Sequence, residues 1–165
     1  MQRFEMRRKD HEIEDRDEID SILSRALVGR IGMSLHDNPY LVPLNFLYSQ
    51  GKIYFHSANE GQMYTWLKAN DRVCFEVDEP GETIPNVDPC KFSFTYKSVI
   101  ASGKIRFLQN PDQKTNILMK LVAKYDVNKI ASKTITPEQV EDVEVGEITI
   151  EKITGKMSPA RKASG

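Results

Sequence analysis

The chain has 165 residues, a length typical of one domain that buries a core without disulfide bonds. Hydrophobic residues make up 39% and charged residues 28%, which is the balance of a globular rather than a disordered or membrane-embedded chain. The 23 Lys and Arg residues are matched by 24 Asp and Glu residues, so no bulk positive charge is available to attract nucleic acid or an anionic membrane.

The first half of the sequence predicts a helix, a β-meander and a second, shorter helix. Apolar residues recur at helical spacing in the first and last of these segments and alternate with polar residues in the three strands between them. Either Asp15 or Asp17 is expected to cap the first helix, and Asn59 the second. The predicted elements span residues 16–27, 30–35, 40–48, 52–57 and 59–70.

The second half predicts three further strands and the longest helix. A stretch rich in proline and glycine, residues 80–89, predicts a loop after the fourth strand, and Gly103 predicts a bulge in the fifth. Asn110-Pro111 is a favourable helix start, and a short helix is expected after Thr136-Pro137. The main elements span residues 73–77, 91–108, 111–125 and 147–153.

These elements form one predicted domain over residues 16–154, between a charged arm at 1–15 and a basic, mobile tail at 155–165. About six strands with short helices at the rim predict a mainly β fold, because a closed or partly closed small barrel removes exposed sheet edges.

The two cysteines, Cys74 and Cys90, have neither the density of a secreted disulfide scaffold nor the spacing of a zinc or redox motif. Residues 1–20 contain no apolar stretch typical of a secretion signal, and no run of about 18 apolar residues predicts a membrane helix. We therefore expect a cytoplasmic protein that binds neither a membrane nor nucleic acid.

The candidate site lies at the junction between the third strand and the second helix. His56, Ser57 and Asn59 converge there with the backbone amides that lead into the helix, and a helix N-terminus beside the flexible Gly61 favours a phosphate. The same residue types also occur as plain turn and cap residues, so the junction alone leaves both interpretations open.

Other common sites have no motif in this sequence. The histidines at positions 11, 36 and 56 lack the spacing of a metal-binding helix, so we expect no metal. The sequence also lacks a nucleophile elbow, a phosphate loop of the triphosphatase type and a dinucleotide-binding glycine fingerprint.

Four motifs follow one another in an order that resembles a known family. They are Pro43-Leu44-Asn45-Phe46, then Ile53 to Ala58 with Gly61, then Leu67 through Val77, then Tyr96 to Ile100 with Gly103. The series is similar to the pyridoxamine 5'-phosphate oxidase-related family of FMN-binding split barrels, and most similar to its nitroimidazole-resistance subgroup. The starting motif Met6 to Asp10 and the closing motif Ile153 to Lys156 extend the resemblance over almost the whole chain.

This resemblance implies a six-stranded split barrel and a homodimer that binds FMN in a groove between its subunits. Phe55, His56, Ser57, Ala58 and Gly61 match the segment that holds the flavin phosphate and ribityl chain. The segment Pro43 to Phe46 matches the one along the flavin ring, and Ser98, Val99 and Ile100 match the one at the polar edge of the ring. His56 also matches a histidine associated with the reactive site, which makes it the candidate catalytic residue.

One position departs from the family pattern. Many relatives have Lys or Arg where this chain has Gln62, and a cation there would make a charge-assisted hydrogen bond to the phosphate. Lys156, Arg7 and Arg8 are candidate replacements that a dimer would bring to the site, and each is alternatively a solvated residue of an arm or tail.

The sequence leaves two classes of function open. The first is an FMN-dependent oxidoreductase that passes electrons from a donor such as a reduced nicotinamide to a small acceptor such as a nitroaromatic compound. His56 would donate the proton, since a histidine side chain takes either protonation state near neutral pH. The second is a non-catalytic module that binds or senses flavin or haem. Oxidation of pyridoxamine phosphate is a narrower alternative, for which the scattered Lys104 and Arg106 make no dedicated second phosphate site.

Overall fold

The computed structural model describes residues 7–131 and 134–158. Its three α-helices are α1 (Arg16–Arg25), α2 (Gly61–Ala69) and α3 (Pro111–Tyr125). Its strands are β1 (Glu12–Ile13), β2 (Gly29–Leu35), β3 (Asn38–Leu44), β4 (Leu47–Ser49), β5 (Lys52–Ala58), β6 (Arg72–Ile84), β7 (Ser93–Phe107) and β8 (Val143–Met157). Short 3-10 helices lie at Lys9–His11, Pro89–Lys91 and Pro137–Val140.

All the strands belong to one antiparallel sheet with the order β3-β2-β6-β7-β8-β5-β4, and β1 pairs with the far end of β8. The six strands of seven or more residues are β2, β3, β5, β6, β7 and β8, as the predicted six-stranded arrangement requires. β8 organises the sheet because its first half pairs with β5 and almost its full length pairs with β7. The predicted mainly β fold with peripheral helices is confirmed.

Apolar residues form a core on each face of β5. One core contains the fully buried rings of Phe46, Phe55 and Phe75, and the first and last of these pack edge to face with their centroids 4.9 Å apart. The other core lies under α3, where Leu118 and Leu121 pack with Tyr54, among other residues. Successive residues of β5 therefore point to different cores, as the alternation of a strand requires.

The predicted helix boundaries are mostly confirmed by their caps. The Asp15 side chain accepts a hydrogen bond from the Asp17 amide at 2.9 Å, and the Asn110 side chain accepts one from the Gln113 amide at 3.0 Å. The prediction that Asn59 caps α2 is wrong. Glu60 holds the cap position and its side chain makes no capping bond, and Gly61, the first residue of α2, has a φ of +92°.

Three strand boundaries differ from the predicted ones. The strand predicted over 40–48 is broken at residues 45–46, where the chain passes from β3 to β4. The loop predicted over residues 80–89 begins later than expected, since β6 continues to Ile84 with an irregularity between Pro80 and Thr83 that accommodates the proline. β8 runs on to Met157, so residues 155–157 belong to the sheet rather than to the predicted mobile tail, and 159–165 lie outside the described residues.

The bulge predicted at Gly103 lies at this position, but its extra residue is on β8, because Ser102 pairs with Lys152 and Gly103 with Ile150. The register of β7 against β8 shifts between Ser102 and Gly103, and a Cβ at position 103 would lie 2.0 Å from the Thr149 carbonyl oxygen. Only glycine allows the two backbones to approach this closely at the register shift.

Candidate functional site

The segment from Phe55 to Ala58 is the open end of β5. β5 pairs with β8 along its full length, whereas β4 covers only its first three residues, Lys52 to Tyr54. Beyond Tyr54, the edge of β5 opposite β8 has no partner strand in the described part of the chain. The side chains alternate there, with Phe55 fully buried, His56 exposed, Ser57 partly buried and Ala58 exposed. The junction singled out from the sequence is thus an exposed strand edge that leads into α2.

The N-terminus of α2 leaves its first amides without a side-chain cap. The Glu60 side chain makes no capping bond, and a Cβ on Gly61 would meet no atom within 4 Å. The first amides of a helix have no intrahelical partner, and their combined dipole favours an anion. The space in front of α2 is therefore open to a ligand with negative charge.

Ser57 adds an unused hydroxyl to this junction. Its Oγ atom is buried and has no hydrogen-bond partner among the described residues. Glu144 lies directly across the ladder on β8, and its Oε2 also lacks a hydrogen bond, with the Lys114 Nζ 3.7 Å away as an ion-pair partner. A buried hydroxyl without a partner is costly, so Ser57 fits a site whose ligand supplies the missing acceptor or donor.

Lys114 is the functional candidate that the sequence analysis missed. Its ammonium donates to the Val143 carbonyl oxygen at 2.9 Å and lies beside Glu144, which places a cation at the β8 residues that pair with Ser57 and Ala58. No local pattern identifies it, because it belongs to α3 and reaches β8 across a sequence separation of 29 residues.

The chain between β3 and β4, which contains Asn45 and Phe46, is fixed by the end of α3. The Tyr125 hydroxyl accepts from the Phe46 amide at 2.9 Å and lies 2.7 Å from the Leu27 carbonyl oxygen and 3.0 Å from that of Phe46. Lys124 donates to the carbonyl oxygens of Ala26 at 2.7 Å and Phe46 at 3.0 Å. α3 thereby fixes the backbone of the segment predicted to lie along a flavin ring.

Lys124 also carries the clearest electrostatic perturbation near the site. Its ammonium lies 4.0 Å from the centroid of the Phe46 ring, and burial lowers the pKa of Lys124 to about 8. Desolvation disfavours the charged form, and the hydrogen bonds of this ammonium go to neutral carbonyl groups.

The predicted site residues fall into two groups that one chain does not bring together. Ser98 pairs with Lys156 near the end of β8, whereas His56 pairs with Val145 near its start. Those two positions of β8 are 11 residues apart in the numbering (156 minus 145), or about 36 Å along an extended strand. The two groups therefore lie toward opposite ends of β8.

Several predicted residues offer only their backbone. The side chains of Phe46, Phe55 and Val99 are fully buried in the core, so they cannot contact a cofactor directly. Pro43, Asn45, Gly61, Gln62 and Ile100 are exposed, and Leu44, Ser98 and Lys156 are partly exposed.

The candidate cations for a phosphate have other contacts within the chain. Arg8 forms an ion pair with Asp10 at 2.8 Å, and the Lys156 ammonium lies 5.8 Å from the centroid of the Tyr96 ring. Within residues 7–131 and 134–158, no group of three or more His, Cys, Asp or Glu side chains is arranged to hold a metal ion. None of the helices in the described part of the chain is long and apolar enough to cross a membrane.

Comparisons with known proteins agree on the fold. A family model described as Pyridoxamine 5'-phosphate oxidase matches residues 15–157, whereas no curated protein matches the chain. A candidate 5-nitroimidazole antibiotic resistance protein from Bacteroides thetaiotaomicron VPI-5482 is 28% identical, with a TM-score of 0.77 over 88% of this chain and 86% of its own.

Two more distant structures show the fold alone. An FAD-binding protein from Mesorhizobium loti is 23% identical, with a TM-score of 0.66 over 88% of this chain and 96% of its own. An FAD and haem binding protein from Mycobacterium smegmatis is 15% identical, with a TM-score of 0.81 over 94% of this chain and 77% of its own. The chain has the split-barrel fold predicted from its sequence, and it belongs to the pyridoxamine 5'-phosphate oxidase family.

Proposed function

We propose that this protein binds FMN at the junction of β5 and α2 and uses it to reduce a small acceptor such as a nitroaromatic compound. The observation that carries the proposal is the buried hydroxyl of Ser57, which has no hydrogen-bond partner among the described residues and lies in the segment that leads to the uncapped N-terminus of α2. In a chain of this family, a flavin phosphate is the anion that satisfies both features.

The chain's own residues supply binding and orientation. The first amides of α2 and the Ser57 hydroxyl bind the phosphate, while Tyr125 and Lys124 fix the Phe46 backbone against which the flavin ring lies. FMN held there would supply the two-electron redox chemistry between a reduced nicotinamide and the acceptor. His56, exposed beside these segments, holds the proton that the reduced acceptor needs.

A homodimer completes the site in this proposal. Gln62 is neutral and Glu60 is acidic, so the phosphate needs a cation that the α2 N-terminus does not provide. Ser98, Ile100 and Lys156 share one face of the sheet, as their register shows, and Ile100 is 47% exposed there. A second copy packed on this face would carry its Ser98 to Ile100 segment and its Lys156 to the flavin. Light scattering of the FMN-loaded protein tests this, and a monomer that binds FMN tightly would contradict it.

Oxidation of pyridoxamine phosphate is the weaker candidate because the cations it needs are paired. Arg106 and Lys52 contact the buried carboxylate of Glu147 at 2.7 Å and 3.0 Å, and Lys104 lies 3.6 Å from Asp71. Burial opposes ionisation of Glu147, but the hydrogen bonds from Arg106 and Lys52 prevail and lower its pKa. Flavin-loaded protein is therefore expected to form no hydrogen peroxide with pyridoxamine phosphate.

A haem-binding module is the second candidate function. His56 is exposed and makes no hydrogen bond with the described residues, so its imidazole is available as an axial ligand. The similarity in fold to the FAD and haem binding protein of M. smegmatis favours testing it. The absorption spectrum of the purified protein distinguishes the two, because a haem gives an intense Soret band that a flavin lacks.

Replacement of Ser57 by Ala tests the flavin site. We expect the FMN affinity to fall about tenfold or more, because a hydrogen bond to a charged group contributes about 1.5–3 kcal/mol. The free energy of unfolding of the flavin-free protein should not fall, since the hydroxyl has no partner to lose. Ser34→Ala, on the exposed face of β2, is the matched control and should leave both quantities unchanged.

The affinity and stability measurements both use full-length protein. The protein is freed of unbound flavin by gel filtration, and its affinity is measured by titration with FMN or FAD. Equal FMN affinities of Ser57→Ala and the natural protein would overturn the assignment of the phosphate site. Anaerobic bleaching of the bound flavin by reduced nicotinamide, reversed by a nitroaromatic compound, supports the oxidoreductase. Flavin that binds but does not bleach indicates the non-catalytic module.

A further inference from the structure

A polar pocket lies between the first half of α3 and the start of β5. Its volume is about 500 Å³, which is typical of a site for a small molecule. Glu147 on β8 pairs directly with Tyr54 on β5 and with Arg106 on β7, so these three residues form one row across the sheet. The row faces α3, because Tyr54 packs in the same apolar cluster as Leu118 of that helix. The buried Tyr54 and Glu147 form the floor of the pocket.

The carboxylate on this floor is ionised and already compensated. The Glu147 Oε1 accepts hydrogen bonds from the Arg106 Nε at 2.7 Å and the Lys52 Nζ at 3.0 Å, and its side chain is only 6% exposed. Although burial opposes ionisation, these two hydrogen bonds lower the pKa of Glu147. Desolvation offsets most of the attraction within a buried ion pair, so stability alone does not account for three charges at this place.

Two basic groups of the pocket keep hydrogen-bonding capacity for a ligand. The ion pair of Arg106 uses only its Nε, and neither terminal amino group of this guanidinium donates to a described residue. The Arg106 side chain is 62% exposed. Lys120 is also exposed and makes no ion pair with the described part of the chain. A guanidinium presents its donors in a planar fork that matches a carboxylate, so Arg106 is the anchor expected for an anion.

Three amide side chains, those of Gln50, Gln113 and Asn116, also line the pocket. None of them makes a hydrogen bond within residues 7–131 and 134–158. An amide group both donates and accepts hydrogen bonds, as a hydroxyl group does. The three amides are therefore suited to a ligand that carries several hydroxyl groups.

The charge of the lining favours a ligand with one negative charge. Lys52, Arg106 and Lys120 are basic, whereas Asp112 and Glu147 are acidic, which leaves an excess of one positive charge. A carboxylate supplies one negative charge, whereas a phosphate ester carries about 1.5 to 2 near neutral pH. A carboxylate thus balances the pocket, and a phosphate ester would leave it with an excess of negative charge.

We infer that this pocket binds a small hydroxylated carboxylate, such as a sugar acid, with the carboxylate on Arg106 and the hydroxyl groups on the three amides. The inference goes beyond the proposed flavin site. Lys52 in the pocket and Ser57 at the junction of β5 and α2 are five residues apart in the numbering (57 minus 52), or about 17 Å along an extended strand. None of the residues that line the pocket is among those assigned to the flavin.

The inference is tested with gluconate, a hydroxylated carboxylate, by isothermal titration of full-length protein at low ionic strength. Sorbitol is the neutral control, since it has the same carbon chain without the carboxylate, and it should bind much more weakly. The protein carries ¹³C-labelled methyl groups on Ile and Leu, whose chemical shifts report where gluconate binds. We expect saturable shifts at Leu108 and Ile117 in the pocket, and none at the exposed Ile130.

Two substitutions locate the carboxylate. Arg106→Lys keeps the charge beside Glu147 but removes the fork, so it should weaken gluconate binding about tenfold. Lys120→Gln removes an exposed charge without an ion-pair partner in the described chain, so it should weaken binding about threefold. Lys68→Gln is the matched control, because it makes the same change at an exposed helical position outside the pocket, and it should bind gluconate normally. If Arg106→Lys does not fold, Lys120→Gln carries the test.

The outcomes separate this inference from the proposed function. Absence of gluconate binding, equal affinity for sorbitol, shifts confined to other methyl groups, or unchanged affinity in Lys120→Gln would overturn the inference. Tighter binding of sorbitol 6-phosphate than of gluconate would assign the pocket to phosphate esters and would also overturn it. None of these results changes the flavin proposal, because FMN affinity is measured separately and should be the same in Arg106→Lys as in the natural protein. Gluconate binding at Leu108 and Ile117 in a protein that binds no FMN would retain the pocket and overturn the flavin site.

Discussion

The two segments of the candidate site are built in opposite ways. The Phe46 backbone is bound on both its amide and its carbonyl by Tyr125 and Lys124, more than 75 residues away in sequence. The junction from Ser57 to Gly61 has a buried hydroxyl without a partner among the described residues, a helix start without a side-chain cap and a glycine with open space around it. The contrast supports the proposal that the second segment binds a ligand.

The same contrast appears among the helix starts. α1 and α3 each begin with a side-chain cap, from Asp15 and Asn110, whereas α2 begins at an extended Glu60 that makes no such bond. A side-chain cap contributes about 1 kcal/mol, so its absence at α2 costs stability that an anion bound there would restore. Substitutions in the unsatisfied junction or in the fixed segment test whether this difference is functional.

The largest effect is expected from Gly61→Val. Position 61 has a φ of +92°, which a β-branched residue adopts only with strain, so the variant should lose about 1–3 kcal/mol of stability. It should also displace the first amides of α2 and weaken FMN binding more than tenfold. Isothermal titration with FMN and urea unfolding of the flavin-free protein measure the two effects.

Gly51→Val is the matched control for that substitution. Gly51 also has a positive φ, +73°, with no atom within 4 Å of an added Cβ, but it lies in the turn between β4 and β5. It should lose a similar amount of stability and keep the natural FMN affinity. If both variants lost FMN binding equally, the loss would come from general destabilisation and the junction would have no special role.

A smaller effect is expected from the pH dependence of the fixed segment. Because burial lowers the pKa of Lys124 to about 8, from an ordinary value of 10.5, the unfolded chain binds more protons than the folded one between these two pH values. The cost of burying the charge is complete below pH 8 and disappears as the pH rises toward 10.5. The free energy of unfolding should therefore rise over this range, on the order of 1 kcal/mol after screening by solvent at a half-exposed site.

Lys124→Met isolates this contribution, since it keeps an unbranched side chain only one atom shorter and removes the titrating group. The difference in unfolding free energy between the two proteins, measured by urea denaturation at pH 7.5 and pH 10, should change in favour of Lys124 at the higher pH. A difference that is constant with pH would show that burial does not disfavour the charged form of Lys124.

The sequence predicted the local features of this fold better than the long-range ones. Alternation located β2, β5 and β7, and the caps of α1 and α3 followed from single side chains, because both signals depend on residues a few positions apart. The continuation of β6 past Pro80 was missed, since it depends on pairing with β7 rather than on composition.

The candidate site shows the same division. His56 and Ser57 were found from the strand-to-helix pattern and the family motif. Lys114, Lys124 and Tyr125 were not, because α3 contacts the junction and the Phe46 backbone across separations of 29 to 98 residues that leave no periodic signal. Burial of the Phe46 and Phe55 side chains was not predicted either, because it depends on which face of each segment meets the core.

The smallest and sharpest change is Glu60→Asp, which keeps the charge and shortens the side chain by one methylene. Asp at a cap position accepts from the amides of the first turn, so the variant should stabilise the flavin-free protein by about 0.5–1 kcal/mol. The same amides are those assigned to the phosphate, and FMN affinity should therefore fall a few-fold because the carboxylate competes with it. Stability and affinity would move in opposite directions, which urea unfolding and FMN titration of one variant can measure together. If both rose together, the α2 amides would have no part in flavin binding, and their lack of a cap would be a local imperfection of the fold.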